Sequence, residues 1–188
     1  MSEDNNINLS DMSVSDFEAL ADKSDINILL EFVKPSSALK TIKGIETLPS
    51  KPSMIDYTFK EVIYLKNLFK ENDLDGVLEK MYGVKDFSEY SIFSLTAVVK
   101  WVTEQMTALL KNEERISSKK DSELWKASGI ENLQGFGEYT SVFMLAGGDI
   151  TKEDGILAMP YYRVFDFQEI SKEWNTIQER FQKLKSKQ

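Results

Sequence analysis

The sequence predicts an all-α fold, a small helical, bundle-like domain with an extended N-terminal arm. Two runs of apolar residues and one absence carry this prediction. The first run has the spacing of one helix face and consists of Leu95, Val98, Val99, Val102, Met106, Leu109 and Leu110. The second run has the 3, 4, 3, 4, 3 spacing of a heptad seam and consists of Phe167, Ile170, Trp174, Ile177, Phe181 and Leu184. No stretch alternates apolar and polar residues convincingly enough to predict a half-buried strand.

Residues 1–52 differ from the rest of the chain, and they are predicted to form an acidic arm or linker with a short helix. The first fifty residues hold only two of the 21 aromatic side chains, Phe17 and Phe32, and their nine acidic residues outnumber four lysines. Ser13 or Ser15 can cap the short helix, because a hydroxyl at this position accepts a hydrogen bond from a free backbone N–H. The stretch that follows residue 35 contains Gly and Pro without a clear period, which is typical of a linker.

An apolar stretch, INILLEFV at residues 26–33, interrupts this acidic arm. It is compatible with either a strand or a helix, and Pro35 ends it in both cases. Exposing so many apolar side chains to water is unfavourable, so the stretch is predicted to dock on a partner or on the domain itself. The candidate partner-binding residues here are Ile28, Leu29 and Phe32.

From Ser53 onward the chain is predicted to form one helical domain, residues 53–188. Ser53 followed by Asp56 resembles a capping box, and the helix behind it should stop near Asn72. A shorter helix is expected to end at Gly83 in the left-handed conformation. The charged stretch KNEERISSKKDS is predicted to be a surface loop, and a short helix is expected next, in SELWKASG.

The heptad seam near the C-terminus has two interpretations. It lasts for fewer than three heptads, which is less than a coiled coil requires to be established from sequence. The favoured interpretation packs the seam on the domain's own core. The other makes it an oligomer or partner surface, with Phe167, Ile170, Trp174, Ile177 and Phe181 as candidate contacts.

The stretch AGGDITKEDGILAMPYYRVF, residues 146–165, combines glycines with carboxylates, the residue types of a metal or phosphate loop. An EF-hand that starts at Asp149 would need Gly at position 6, where the chain has Asp154, and position 12 lacks a carboxylate. Neither a P-loop nor a GxGxxG dinucleotide motif is present. The stretch is therefore predicted to end one helix at Gly147–Gly148 and to cap the next with Thr151 and Asp154. No metal and no cofactor are predicted.

The composition argues against most enzyme classes and against polyanionic ligands. The 188 residues include no Cys and no His, so thiolate nucleophiles, disulfides and His-based catalytic triads are impossible. The formal net charge of −8 opposes binding to nucleic acid and to anionic membrane surfaces. The N-terminus lacks the basic start and apolar run of a secretory signal, so the chain is expected to stay in a cytoplasm. These observations predict a protein that is not an enzyme.

A resemblance to a known class is clearest in GIENLQGFGEYTSVFMLAGGDITKEDGILAMPYYRVFDF, residues 129–167. The segment GI..L..FG.Y, the turn LAGGDI and the helix start MPY..VF resemble the C-terminal part of small tailed-bacteriophage assembly proteins, in particular tail assembly chaperones. The resemblance extends over about residues 90–185. It is a pattern of turns and apolar positions and contains no catalytic signature.

The resemblance implies a helical, acidic, non-enzymatic protein that coats a tape-measure protein while a phage tail is built. Its partners would be phage tail or virion proteins, with a homo-oligomer as a further possibility, in the host cytoplasm during assembly or in the virion. The long N-terminal arm departs from a compact chaperone and suits a structural component of the virion in the neck, the tail or the capsid. A third hypothesis is an acidic inhibitor that mimics DNA, which ranks lower because 23 basic residues are mixed among the acids.

Overall fold

The computed structural model describes residues 11–20, 22–116 and 129–186. These residues contain eight α-helices and one two-stranded antiparallel sheet, so the predicted all-α class is confirmed. The helices are α1 Val14–Ala19, α2 Ser24–Glu31, α3 Phe59–Lys70, α4 Leu74–Tyr82, α5 Ile92–Ile116, α6 Tyr139–Ala146, α7 Glu153–Leu157 and α8 Tyr161–Lys185. The strands are β1 Leu39–Lys40 and β2 Glu46–Thr47, with Leu39 opposite Thr47 and Lys40 opposite Glu46. Three 3₁₀ turns lie at Met54–Asp56, Ile130–Phe136 and Ile150–Lys152.

The chain divides into two units, whose boundaries fall after Pro52 and inside α3 and α5. Unit 1 takes its described residues from Met1–Pro52 and Leu65–Thr107, and unit 2 takes its own from Ser53–Tyr64 and Ala108–Gln188. The expected domains, 1–52 and 53–188, share only the first of these boundaries. Whether residues 53–188 fold without the first 52 stays a prediction.

Unit 1 begins with the short helix that the sequence predicts. The Ser13 hydroxyl accepts a hydrogen bond from the Asp16 backbone N–H at 3.0 Å, and the Asp16 carboxylate accepts one from the Ser13 N–H at 3.3 Å. This reciprocal pair is a capping box, and of the two serines considered it is Ser13 that occupies the N-cap. The backbone of Val14 also donates to the carbonyl of Tyr90 at 2.9 Å, which attaches α1 to the segment before α5.

The apolar stretch 26–33 is helical, since α2 covers most of it, and a lysine from α5 holds its end. The Lys100 ammonium donates to the carbonyl oxygens of Leu30 at 3.0 Å, Glu31 at 2.7 Å and Val33 at 3.0 Å. The last carbonyls of a helix lack intrahelical hydrogen bonds and carry partial negative charge. A cation there donates the missing hydrogen bonds and neutralises that charge. This contact fixes the C-terminal end of α2 within unit 1.

Residues 36–50, expected to be linker, are built into unit 1 as a short hairpin. Leu39 is fully buried, and the Ser94 hydroxyl accepts from the Lys40 N–H at 2.6 Å while donating to the Ala38 carbonyl at 3.2 Å. The Tyr82 hydroxyl donates to the carbonyl of Ser37 at 2.8 Å. Two-residue strands leave almost no alternation to detect, which is why the sequence pattern missed them. The other fully buried side chains of this unit are Leu65, Val77, Met81, Val98, Val102 and Met106.

Two helix boundaries differ from the expectation. Ser53 makes no capping hydrogen bond, and α3 is capped instead by Thr58, whose hydroxyl and backbone N–H both pair with the Glu61 side chain. The backbone of Tyr57 is extended, with ψ 156°, so the 3₁₀ turn Met54–Asp56 cannot continue into α3. The charged stretch after Leu110 was expected to be a loop, but α5 continues to Ile116.

Other predicted boundaries are confirmed. Helix α3 is followed by Asn72 at φ 64°, and α4 ends at Gly83 in the left-handed conformation at φ 71°. Helix α6 ends at Gly147 and Gly148, which both have positive φ. The helix expected in SELWKASG, residues 122–129, lies outside the described residues except for Gly129. None of the described helices is long and apolar enough to cross a membrane.

Unit 2 is organised around Tyr161, the first residue of α8. Its backbone N–H donates to the Tyr57 carbonyl at 2.8 Å, and its hydroxyl donates to the Glu113 carboxylate of α5. Its ring lies 6.0 Å from that of Phe59 and 6.2 Å from that of Phe165. Burial, and then the hydrogen bond and negative charge of Glu113, raise the pKa of the Tyr161 phenol above its usual value of 10.0. Tyr161 therefore fixes the start of α8 to both α3 and α5.

The hairpin in residues 36–50 gives a direct test of whether this segment belongs to a core. Leu39→Ala should lower the free energy of unfolding by about 2–5 kcal/mol, because a fully buried leucine leaves a cavity behind. Leu48→Ala is the matched control, since this leucine is exposed, and it should change the free energy by less than about 0.5 kcal/mol. Urea denaturation followed by circular dichroism measures both. Equal values for the two variants would show that the segment is an arm.

Tyr161→Phe should lower the free energy of unfolding by about 1–2 kcal/mol at pH 7, because the buried hydroxyl loses its hydrogen bond to a carboxylate. Tyr162→Phe, at the neighbouring exposed position, should leave stability unchanged. The unfolded phenol ionises near pH 10, while the folded one keeps its proton. The advantage of the wild type over Tyr161→Phe should therefore shrink as pH rises above 10. Denaturation curves at pH 7 and above pH 10 measure it, and an unchanged gap would contradict the raised pKa.

Candidate functional site

The heptad seam of α8 faces water. Its six side chains, from Phe167 to Leu184, are between 51% and 67% exposed. The favoured expectation, that the seam packs on the domain's own core, is therefore wrong for the described part of the chain. What remains is an unpartnered apolar stripe along a helix of 25 residues.

The face of α8 that contacts the rest of unit 2 is polar after the first turns of the helix. Tyr161 and Val164 are buried, but the half-buried residues between 168 and 176 are all polar: Gln168, Glu169, Ser171, Lys172 and Thr176. Helix α8 thus reverses the usual arrangement, in which the apolar stripe faces the core and the polar face meets solvent. Sequence periodicity detects a stripe but does not show which way it faces.

Two polar contacts fix that orientation. The Glu169 carboxylate forms an ion pair with the guanidinium of Arg115, in the last turn of α5. The Lys172 ammonium donates to the carbonyl of Arg115 at 2.7 Å, where the end of α5 carries partial negative charge. Glu169 and Glu113 therefore both connect α8 to α5. Their spacing from Tyr161 and Arg115 along the chain gave no signal of these contacts.

The predicted contact residues of the N-terminal region are exposed as well. Ile28, Leu29 and Phe32 lie along α2 and just after it, and Phe32 is 79% exposed. The Lys100 contacts at the end of α2 hold this patch in place within unit 1. All eight candidate residues from the sequence are therefore on the surface, three in unit 1 and five in unit 2.

Unit 2 has a third apolar surface, which the sequence analysis did not predict. An open groove of about 530 Å³ is lined mainly by Leu133, Phe136, Tyr139, Phe143 and Ile150. Along α6, Val142 and Ala146 are buried, whereas Tyr139 and Phe143 are exposed. Helix α6 is apolar on more than one side, so it contributes to the core and to the groove at once.

The glycine-rich loop is a set of helix ends, as predicted, although its cap differs. Asp149 caps the 3₁₀ turn by accepting from the Thr151 N–H at 3.1 Å and from its hydroxyl at 2.7 Å. These bonds, with that from Lys152, hold the pKa of the Asp149 carboxyl below its usual value. The carboxylate is thus occupied by its own loop. Helix α7 follows at Glu153, without the expected Thr151 cap.

Within residues 11–20, 22–116 and 129–186, no three carboxylates are grouped closely enough to hold a metal ion. Several described carboxylates have structural contacts: Asp16 and Asp149 cap turns, Glu169 forms an ion pair, and Glu113 accepts a hydrogen bond from the buried Tyr161 hydroxyl. What the site offers chemically is apolar surface with charges beside it, which suits binding to another protein.

Comparison with protein-family models, with curated proteins and with solved structures found no match for this chain.

Proposed function

We propose that this chain is a non-enzymatic protein that acts by binding other proteins during bacteriophage morphogenesis, as a tail assembly chaperone. The observation that carries the binding role is the exposure of large apolar side chains on ordered helices, Phe32 beside α2 and the seam of α8. Contiguous apolar surface on a folded protein marks a contact with a partner more often than scattered single residues do. The phage context rests on the resemblance of residues 129–167 described above.

The chemistry of these surfaces fits an apolar, helical client such as a tape-measure protein. Ile28 and Phe32 are four residues apart, so they present a continuous apolar spot next to α2. The net charge of −8 disfavours nucleic acid as the partner. Such a protein would work in the host cytoplasm and leave the tail when assembly ends.

The test is co-expression with a tape-measure polypeptide, followed by co-purification. The wild type should keep the client soluble, and Phe32→Lys should lower the recovered complex by about tenfold or more, the loss typical of a central contact. Ile45→Lys is the matched control. Ile45 is also a large, exposed apolar residue of unit 1, but it lies in the hairpin and not beside α2 in the sequence. It should leave the complex intact. No complex with the wild type would contradict the chaperone role.

Mass spectrometry of purified phage particles separates the chaperone from a structural component of the virion. A chaperone is absent from the mature particle, whereas a neck, tail or capsid component is present in a fixed ratio to other virion proteins. Capture of a DNA-binding protein in place of the tape-measure client would favour the third hypothesis, an acidic inhibitor.

A non-enzymatic role also predicts that Asp149, Glu153 and Asp154 bind no metal ion. Calorimetric titration with calcium, magnesium or manganese should give only the heat of dilution, because Asp149 is already held by Thr151 and Lys152. A binding isotherm that disappears in Asp149→Ala would contradict this and would support a metal-dependent enzyme.

A further inference from the structure

The exposed seam of α8 is complementary to itself in one orientation. Taking Phe167 as heptad position a, the a residues are Phe167, Trp174 and Phe181, and the d residues are Ile170, Ile177 and Leu184. In an antiparallel pair each a residue meets a d residue of the other helix. Phe167 then lies opposite Leu184, Ile170 opposite Phe181, and Trp174 opposite Ile177, so that all six residues find a partner in a single register.

We propose that a second copy of this chain covers the seam, so that two α8 helices form an antiparallel coiled coil. This deepens the proposed function and rests only on its claim that the exposed apolar side chains bind protein. The partner of the α8 seam is then identified, and the α2 patch remains the surface for a client.

Charges beside the seam select the antiparallel orientation. Glu173 and Arg180 occupy position g, and in an antiparallel pair g residues face g residues of the other helix. The same register that pairs Trp174 with Ile177 brings Glu173 of each copy next to Arg180 of the other, which forms two ion pairs. Both side chains are exposed, and neither forms an ion pair within the described part of the chain.

A parallel pair would be less favourable. There a g residue faces the e residue five positions later in the other helix, so Arg180 would face Lys185 of the second copy, a repulsive contact. Glu173 would face the uncharged Gln178. In the antiparallel pair the e residues Ser171 and Gln178 face each other instead, and both are neutral hydrogen-bonding side chains.

The seam is accessible without loss of the contacts that orient α8. Of the side chains that hold the helix, Lys172 lies at position f, opposite the seam, and Glu169 lies at position c, on its flank. Ile170, Trp174 and Ile177 also line an open groove of about 490 Å³ beside Ile116, at the end of α5.

The size of the contact fits a weak but specific dimer. The seam from Phe167 to Leu184 is about 25 Å long at the rise of an α-helix. Twelve large apolar side chains, more than half exposed in the single chain, would bury on the order of 1,000 Å² in total, near the lower bound of specific interfaces. Dissociation in the micromolar range is therefore expected.

The experiment uses sedimentation equilibrium of the purified full chain and two charge reversals. The wild type should reach twice the chain mass of 21.6 kDa as its concentration rises. Glu173→Arg and Arg180→Glu should each weaken self-association by on the order of tenfold or more, because each variant places like charges opposite each other twice. An equimolar mixture of the two should associate as well as the wild type, since both contacts become attractive again.

The matched control is Glu179→Arg, which makes the same charge change at position f, away from the seam. It should dimerise as the wild type does, and circular dichroism should show that all variants remain folded. A wild type that stays monomeric at high micromolar concentration overturns the proposal. So does tighter association of Arg180→Glu with no effect of Glu173→Arg, which is the result that a parallel pair gives.

These results are independent of client binding. Self-association is measured on the purified chain alone, whereas the chaperone role is read from Phe32→Lys and a tape-measure client. A dimer without a client complex contradicts the chaperone role alone, and a client complex formed by a monomer contradicts the antiparallel pair alone.

Discussion

The attachment of Tyr161 decides what unit 2 presents to its surroundings. Its backbone N–H binds the carbonyl of Tyr57, and Phe59 donates in the opposite direction, to the carbonyl of Met159 at 2.8 Å. Its hydroxyl binds Glu113, so the first residue of α8 is held at both its backbone and its side-chain end. A helix fixed at its first residue can still turn about its own axis. The ion pair of Glu169 and the Lys172 contact, two and three turns further on, remove that freedom and leave the apolar stripe facing water.

The same contacts show how a chain without Cys or His uses its ionisable groups. Lys100 closes the end of α2, Asp149 caps a turn, and Glu113 accepts from a buried phenol. Each of these groups satisfies a backbone or side-chain atom that would otherwise lack a hydrogen bond. The raised pKa of Tyr161 follows from burial, and its hydroxyl is engaged with Glu113.

The sequence predicted the local parts of this structure well and the long-range parts poorly. The Ser13 cap, the stop at Gly83 and most of the buried face of α5 depend on neighbouring residues, so their signals lie within a few positions of each other. Leu110, which was expected on that face, is exposed near the end of the helix. The Lys100 contact with α2 joins residues about 70 positions apart, and no local pattern announces it. The Thr58–Glu61 cap was a local signal of the same kind as Ser13–Asp16, but Ser53 offered a competing one a few residues earlier. The face of α8 could not be predicted, because periodicity is unchanged when a helix is turned about its axis.

An apolar stripe that faces water weakens a protein's solubility unless something limits its contacts. Here the limits are on the stripe itself: Glu173 and Arg180 border it with opposite charges, and Lys183 and Lys185 follow near its end. Unspecific contacts between apolar surfaces gain little from these charges. In the proposed antiparallel pair, however, each Glu173 faces Arg180 of the second copy, and the contact is attractive. The heptad spacing adds a second condition, because it places the six apolar side chains in one line, as the seam of a helix pair requires. In the proposed antiparallel pair, the spacing and the charges of the stripe therefore favour the same geometry.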